Sequence, residues 1–86
     1  MDAIEQPKLS RMFRLQWEEA QNAYVLLYPE GLVRLNTSAA EILKRCDGRS
    51  ALADIVAQLE QAFNASNLAQ DVQAFVADAR QRGWLV

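Results

Sequence analysis

The side chains that most often carry chemistry are nearly missing from this sequence. Its 86 residues include no histidine, a single cysteine (Cys46), and 11 acidic against 9 basic residues. Without histidine, the commonest general base and the commonest metal ligand are both lost. One thiol can neither close an internal disulfide nor build a cysteine-rich metal site. Cys46 also falls on an apolar helical stripe near that helix's C-terminal end, where the dipole disfavours a thiolate, so it reads as a small core residue. The remaining candidates are carboxylates. Glu18-Glu19 belongs to a predicted hairpin loop, and Asp71 and Asp78 to a polar helix face. Neither setting implies the burial that raises a carboxyl pKa into a catalytic range. The expectation is a protein with no catalytic residues, no metal and no cofactor.

Binding is the alternative to catalysis, and charge narrows the kind of partner. A net charge of -2 and a pI near 5.0 argue against nucleic acid, which calls for a basic face. Two short helices joined by Asp47-Gly48-Arg49-Ser50 permit a helix-turn-helix, and a winged-helix DNA-binding regulator is the alternative function. Its reading helix would span Ser50 to Phe63, which holds Asp54 and Glu60 and neither Lys nor Arg. No run approaches the roughly 18 apolar residues of a membrane span. Met1 to Lys8 carries Asp2 and Glu5 and no apolar stretch, unlike a signal peptide, so a cytoplasmic location without membrane contact is expected.

The elements follow from periodicity. A polar lead over residues 1–9 is expected to be flexible, with one domain over residues 10–86. Phe13, Leu15 and Trp17 alternate with Arg14 and Gln16, as in a half-buried strand. Glu18 to Asn22 reads as the hairpin loop. Ala23 to Tyr28 is apolar on both faces, which suits a central strand, and Pro29-Glu30-Gly31 supplies turn chemistry before a third strand, Leu32 to Leu35. Asn36, Thr37 and Ser38 are successive capping candidates, and Ser38-x-x-Glu41 fits a capping box. The first helix then runs to about Cys46. Ser50 can cap a second helix with the stripe Leu52, Ile55, Val56, Leu59 and Phe63. After a polar break at Asn64 to Asn67, Asn67 can cap a third helix with the stripe Leu68, Val72, Phe75, Val76 and Ala79. Gly83 stops it, leaving the tail Trp84-Leu85-Val86. The order β-β-β-α-α-α predicts an α+β fold, a three-stranded antiparallel sheet followed by a three-helix bundle.

In such a meander the third strand has an outer edge with unpaired backbone N–H and C=O groups. An extended peptide can add there as a further strand. The same edge can instead be covered by the tail, pair in a homodimer, or be short enough to tolerate. Arg11, Arg14 and Arg34 lend this region a modest cationic character, suited to an acidic peptide or serving only solubility.

Several stretches resemble one family. Phe13 to Glu18, Val25-Leu26-Leu27-Tyr28-Pro29-Glu30-Gly31, Leu35-Asn36 followed by Ser38 to Leu43, Cys46-Asp47-Gly48, Asp54-Ile55-Val56, Asp71-Val72 with Phe75, and Gly83-Trp84-Leu85 occur in the order and spacing of PqqD proteins. These are the small peptide chaperones of pyrroloquinoline quinone biosynthesis, also called RiPP recognition elements. Met12, where the family typically has Gly, and Tyr24 depart from the pattern. The resemblance covers about Pro7 to Val86. It implies a winged-helix-like domain that binds the precursor peptide PqqA and presents it to PqqE, a radical S-adenosylmethionine (SAM) enzyme that cross-links a Glu and a Tyr of the peptide. It further implies that the peptide adds to the third strand and lies against the third helix. Leu32, Val33, Arg34 and Leu35 would then form one wall of the groove, and Val72, Phe75, Val76 and Ala79 parts of the other.

Overall fold

A computed structural model describes residues 5–86. It places Arg14–Glu18 (β1), Ala23–Tyr28 (β2) and Gly31–Arg34 (β3) in one antiparallel sheet of order β1-β2-β3. Thr37–Lys44 (α1), Leu52–Ala62 (α2) and Ala69–Gln81 (α3) follow. The α+β architecture read from the sequence is the one observed. The unbroken apolar character of β2 has its reason in this order, since the strand is flanked on both sides and its Val25 and Leu26 are fully buried. Pro29 and Glu30 form the turn between β2 and β3, closed by the pair Tyr28 and Gly31. A short 3-10 turn, Glu19–Gln21, fills the expected loop between β1 and β2, and Asn22 leaves it in the left-handed region at φ 51.

One contiguous core lies between the sheet and the helices. Leu26 and Leu35 contribute from the sheet side, Ile42 and Leu43 from α1, Ile55 and Leu59 from α2, and Val72 and Val76 from α3. Among the described residues no helix is long and apolar enough to cross a membrane.

The helix ends use some of the expected caps and leave others unused. Asn36 caps α1, its Oδ1 accepting from the Ala39 N–H at 2.8 Å. The Ser38-x-x-Glu41 box does not form, because Glu41 instead bonds Lys44 and Arg45, each at 2.9 Å. Those two cations, Arg45 first, hold its carboxyl below the usual range. Ser50 does not cap α2. Asp47 Oδ1 accepts from the Arg49 and Ser50 N–H groups at 2.8 and 3.0 Å, and these bonds, Arg49 first, hold its pKa low. Nor does Asn67 cap α3. It adopts φ 61, and Glu60 reaches across from α2 to accept from the Leu68 N–H at 3.0 Å. The glycine stop of α3 is observed. Gly83, at φ 82, donates to Arg80 O, and the Trp84 N–H reaches back to Ala79 O, the paired bonds of a Schellman motif.

Of the lead expected over residues 1–9, residues 1–4 lie outside the described residues, and residues 5–9 are hydrogen-bonded to the rest of the domain. Leu52 N–H donates to Glu5 O at 2.7 Å, Gly48 N–H to Pro7 O at 3.0 Å and Leu9 N–H to Cys46 O at 3.3 Å. Glu5 pairs with Arg80 of α3, and Pro7 is fully buried. On its other side the segment holds the tail: Ser10 N–H donates to Trp84 O at 2.8 Å and Val86 N–H to Lys8 O at 2.7 Å. Isolated bridges of this kind leave no periodic trace in a sequence. They also settle where the tail's backbone goes, which is to Lys8–Ser10 and away from β3.

Candidate peptide-binding groove

The edge of β3 can be described atom by atom. Leu35 N–H donates to Tyr24 O at 2.9 Å, so Tyr24 and Leu35 form a hydrogen-bonded pair. Antiparallel ladders alternate hydrogen-bonded with non-bonded pairs. Leu26–Val33 and Tyr28–Gly31 are therefore bonded pairs in the observed register, and the backbone groups of Val33 turn inward to β2. Those of Leu32 and Arg34 turn outward. Since β3 ends the sheet, these outward groups have no strand partner among the described residues.

Side chains alternate with the opposite consequence. Val33 and Leu35 face the helices, where Val33 is half-buried and Leu35 belongs to the core. Leu32 and Arg34 are exposed on the other sheet face. Alongside the edge opens a groove of ≈ 290 Å³, lined by Val33, Arg34, Leu35, Asn36 and Ala39 on one side and by Phe75, Asp78, Arg82 and Trp84 on the other. Arg82 bonds Asp78 at 2.8 Å, and its guanidinium lies 5.6 Å from the Trp84 ring centroid. That wall is therefore aromatic, with an internally balanced charge pair at its rim. Arg34 has no carboxylate partner among the described residues, so the groove retains one free cation at the strand edge.

The eight residues singled out by resemblance divide at this point. Leu32, Val33, Arg34 and Leu35 all lie on or beside the edge, and Phe75 stands in the facing wall. Val72, Val76 and Ala79 do not reach the groove: at 3%, 1% and 1% exposure they are consumed by the core. Trp84 and Arg82 take their place in the wall. The sequence offers one signal for Trp84, its position just after Gly83, whose left-handed turn folds the Trp84 N–H back to Ala79 O.

The groups considered for catalysis are placed elsewhere. Cys46 is buried, its Sγ–H donating to Ile42 O at 3.3 Å, and burial pushes the thiol up to about 11. It stays protonated at neutral pH and is no nucleophile. Asp78 is engaged by Arg82, while Asp71 and Glu19 are exposed.

Comparison with known proteins finds similar sequences and the same fold. A family model described as coenzyme PQQ synthesis protein D (PqqD) matches residues 23–85. The chain is 47% identical over 78 residues to a PqqA binding protein of Methylococcus capsulatus, covering 91% of this chain and 84% of the relative. With a PqqA binding protein of Azotobacter vinelandii the identity is 52% over 80 residues, covering 92% and 87%. Among solved structures, the solution NMR structure of the PqqD truncation of Methylobacterium extorquens PqqCD superposes with a TM-score of 0.72 at 31% identity, covering 98% of this chain and 95% of that one. That truncation is a functional, stand-alone RiPP recognition element.

Proposed function

This chain belongs to the PqqD family, and on that footing we propose that it is a peptide adaptor of pyrroloquinoline quinone biosynthesis. It binds the precursor peptide PqqA as an added strand on β3 and presents it, in the cytoplasm, to the radical SAM enzyme PqqE. It performs no chemistry itself. Residues 10–86 act as one recognition domain, braced by Glu5–Leu9. The observation that carries this reading is the open edge: two outward N–H groups, on Leu32 and Arg34, beside a groove walled by Phe75 and Trp84.

In strand addition, backbone bonds supply affinity and side-chain pockets supply specificity. Leu32 and Arg34 give the first, while Val33, Leu35, Phe75 and Trp84 give the second. Arg34 adds a cation for an acidic peptide residue. An amide-shift titration of the labelled chain with synthetic PqqA tests this. The largest shifts are expected at Leu32 to Leu35, at Phe75 and at the Trp84 indole N–H. Shifts confined to β1, or to the pairing of Lys8 with Val86, would reject the groove.

A pair of substitutions on α3 separates wall from core. Phe75→Ala should weaken PqqA binding by about 1–2 kcal/mol, roughly five- to thirtyfold, because it removes an aromatic wall. Its neighbour Val76→Ala should lower stability and leave the affinity of the folded protein unchanged, since Val76 is 1% exposed and large-to-small core changes act through cavities. Isothermal titration and urea unfolding of both variants check the contrast.

A further inference from the structure

We propose that the sheet face turned away from the helices is a second docking surface, which takes a protein partner presenting acidic side chains around a projecting aliphatic one. It deepens, and rests on, the reading that the bound peptide is handed to an enzyme, which requires a contact surface outside the groove.

The register builds this face. Directly opposed residues of an antiparallel sheet share a face, so Arg14, Leu27 and Leu32 form one row across the sheet, and Gln16, Val25 and Arg34 the next. Val25 is fully buried yet stands outside the core cluster. Its cover therefore comes from this face, where Gln16 and Arg34 flank it. The row above it is open. Leu32 is 44% exposed, and Leu27 joins Arg11, Met12 and Arg14, with Phe13, Tyr28 and Pro29 beside them, around a shallow cavity of ≈ 320 Å³. Met12, at 63%, is among the most exposed large apolar residues described.

Charge marks the same place. Among the described residues the ion pairs engage Lys44, Arg45, Arg80 and Arg82, leaving Arg11 and Arg14 on this face without a carboxylate, together with Arg34 at the peptide edge and Lys8 and Arg49 elsewhere. Glu30, at the turn, and Glu18, at the far end of β1, are the acidic groups of this surface, and neither is bonded to these arginines. Unpaired guanidinium groups bordering an aliphatic patch are suited to fork recognition of carboxylates around an apolar contact. A sheet that binds single-stranded nucleic acid stacks bases on open aromatic rings. Here Trp17 and Tyr24 alternate onto the other face, and the two rings that reach the cavity, Phe13 and Tyr28, are half-buried and pack on each other with centroids 5.6 Å apart, which favours a protein.

Arg11 and Arg14 lie at the β1 side of the sheet, two strands from the edge that takes the peptide. Peptide and partner can therefore be held together, one at β3 and one across β1 and β2.

The test uses the full chain, synthetic PqqA and purified PqqE, with R11E/R14E as the charge-reversed variant and R11Q/R14Q as the neutral one. Both residues are exposed, and a dispersed amide spectrum confirms folding. The expected result is PqqE affinity reduced at least tenfold in R11E/R14E and by less in R11Q/R14Q, with PqqA affinity within twofold of the parent. PqqE binding to the parent should also weaken as salt rises. Unchanged PqqE affinity in R11E/R14E would overturn this surface and leave the adaptor reading intact. Loss of PqqA affinity in parallel would overturn it by assigning the arginines to the peptide site. If the peptide-loaded parent fails to bind PqqE, delivery itself is refuted and the surface with it. Binding of oligouridylate or phosphatidylglycerol vesicles that R11E/R14E abolishes, with PqqE binding retained, would reassign the face to another class of ligand.

Discussion

Arg34→Pro is expected to weaken PqqA binding about ten- to a hundredfold while the chain stays folded. Arg34 stands in a non-bonded pair with Val25, so its N–H points to the open edge and contributes nothing to the β2–β3 ladder. Proline removes that donor, and its ring occupies the position where an added strand would approach. Edge strands are also the part of a sheet that tolerates proline. A lost hydrogen bond whose partner is left unsatisfied costs roughly 1–3 kcal/mol, which sets the size of the effect. Arg34→Ala is the necessary control, since it removes the guanidinium and keeps the N–H. Leu32→Pro with Leu32→Ala repeats the comparison at the other outward donor. Val33→Pro is a different perturbation, because the Val33 N–H belongs to the bonded pair with Leu26 and its loss breaks the sheet. Titration calorimetry on folded variants decides. If both edge prolines bind PqqA as tightly as their alanine controls, strand addition at β3 is ruled out.

Leu26→Ala should produce the largest loss of stability, about 2–5 kcal/mol. Leu26 is fully buried and sits in the middle of the central strand, in contact with the core shared by all three helices. Domains of this size bury a smaller fraction of their surface than larger ones, and total stabilities are about 5–15 kcal/mol. The substitution therefore consumes a large part of the whole. Its midpoint in urea should fall sharply with little change in slope. Because Leu26 is also the bonded partner of Val33, the cavity opens directly behind the binding edge. Saturating PqqA at about 100 times its Kd should restore roughly 2.7 kcal/mol by linkage. A variant as stable as the parent would mean that the core collapses onto the vacancy, and the central position assigned to Leu26 would need revision.

Much of this molecule is legible in its sequence, and the illegible parts have physical reasons. The bounds of β2 follow from a run with no polar position. The α2 and α3 stripes follow from helical spacing, and the stop at Gly83 from the conformation only glycine adopts readily. Periodicity identifies which side of a helix is apolar and says nothing of depth. Val72, Phe75, Val76 and Ala79 therefore look alike in the sequence, although only Phe75 reaches the groove. Capping candidates compete locally. Asn36 prevails over Thr37 and Ser38, whereas Ser50 and Asn67 cap nothing: α2 and α3 start without a side-chain cap, and Asp47 and Glu60 instead bond the backbone just ahead of them. The outward direction of the Leu32 and Arg34 amides depends on pairing parity, which a list of residues does not contain. Docking of Glu5–Leu9 depends on partners from the far half of the chain, beyond the reach of any local pattern.

That docking has a consequence for the order of folding. The two hairpins of the sheet and each helix are built from neighbours in the chain, and contacts of that kind form early. The ladder of Lys8 and Ser10 with Trp84 and Val86 instead closes nearly the whole polypeptide into a loop, at an entropic cost that only an already assembled core can offset. Loop-closure entropy therefore predicts that it forms last. Since Trp84 belongs to both this ladder and the groove wall, the binding site and the fold are expected to be completed in the same event.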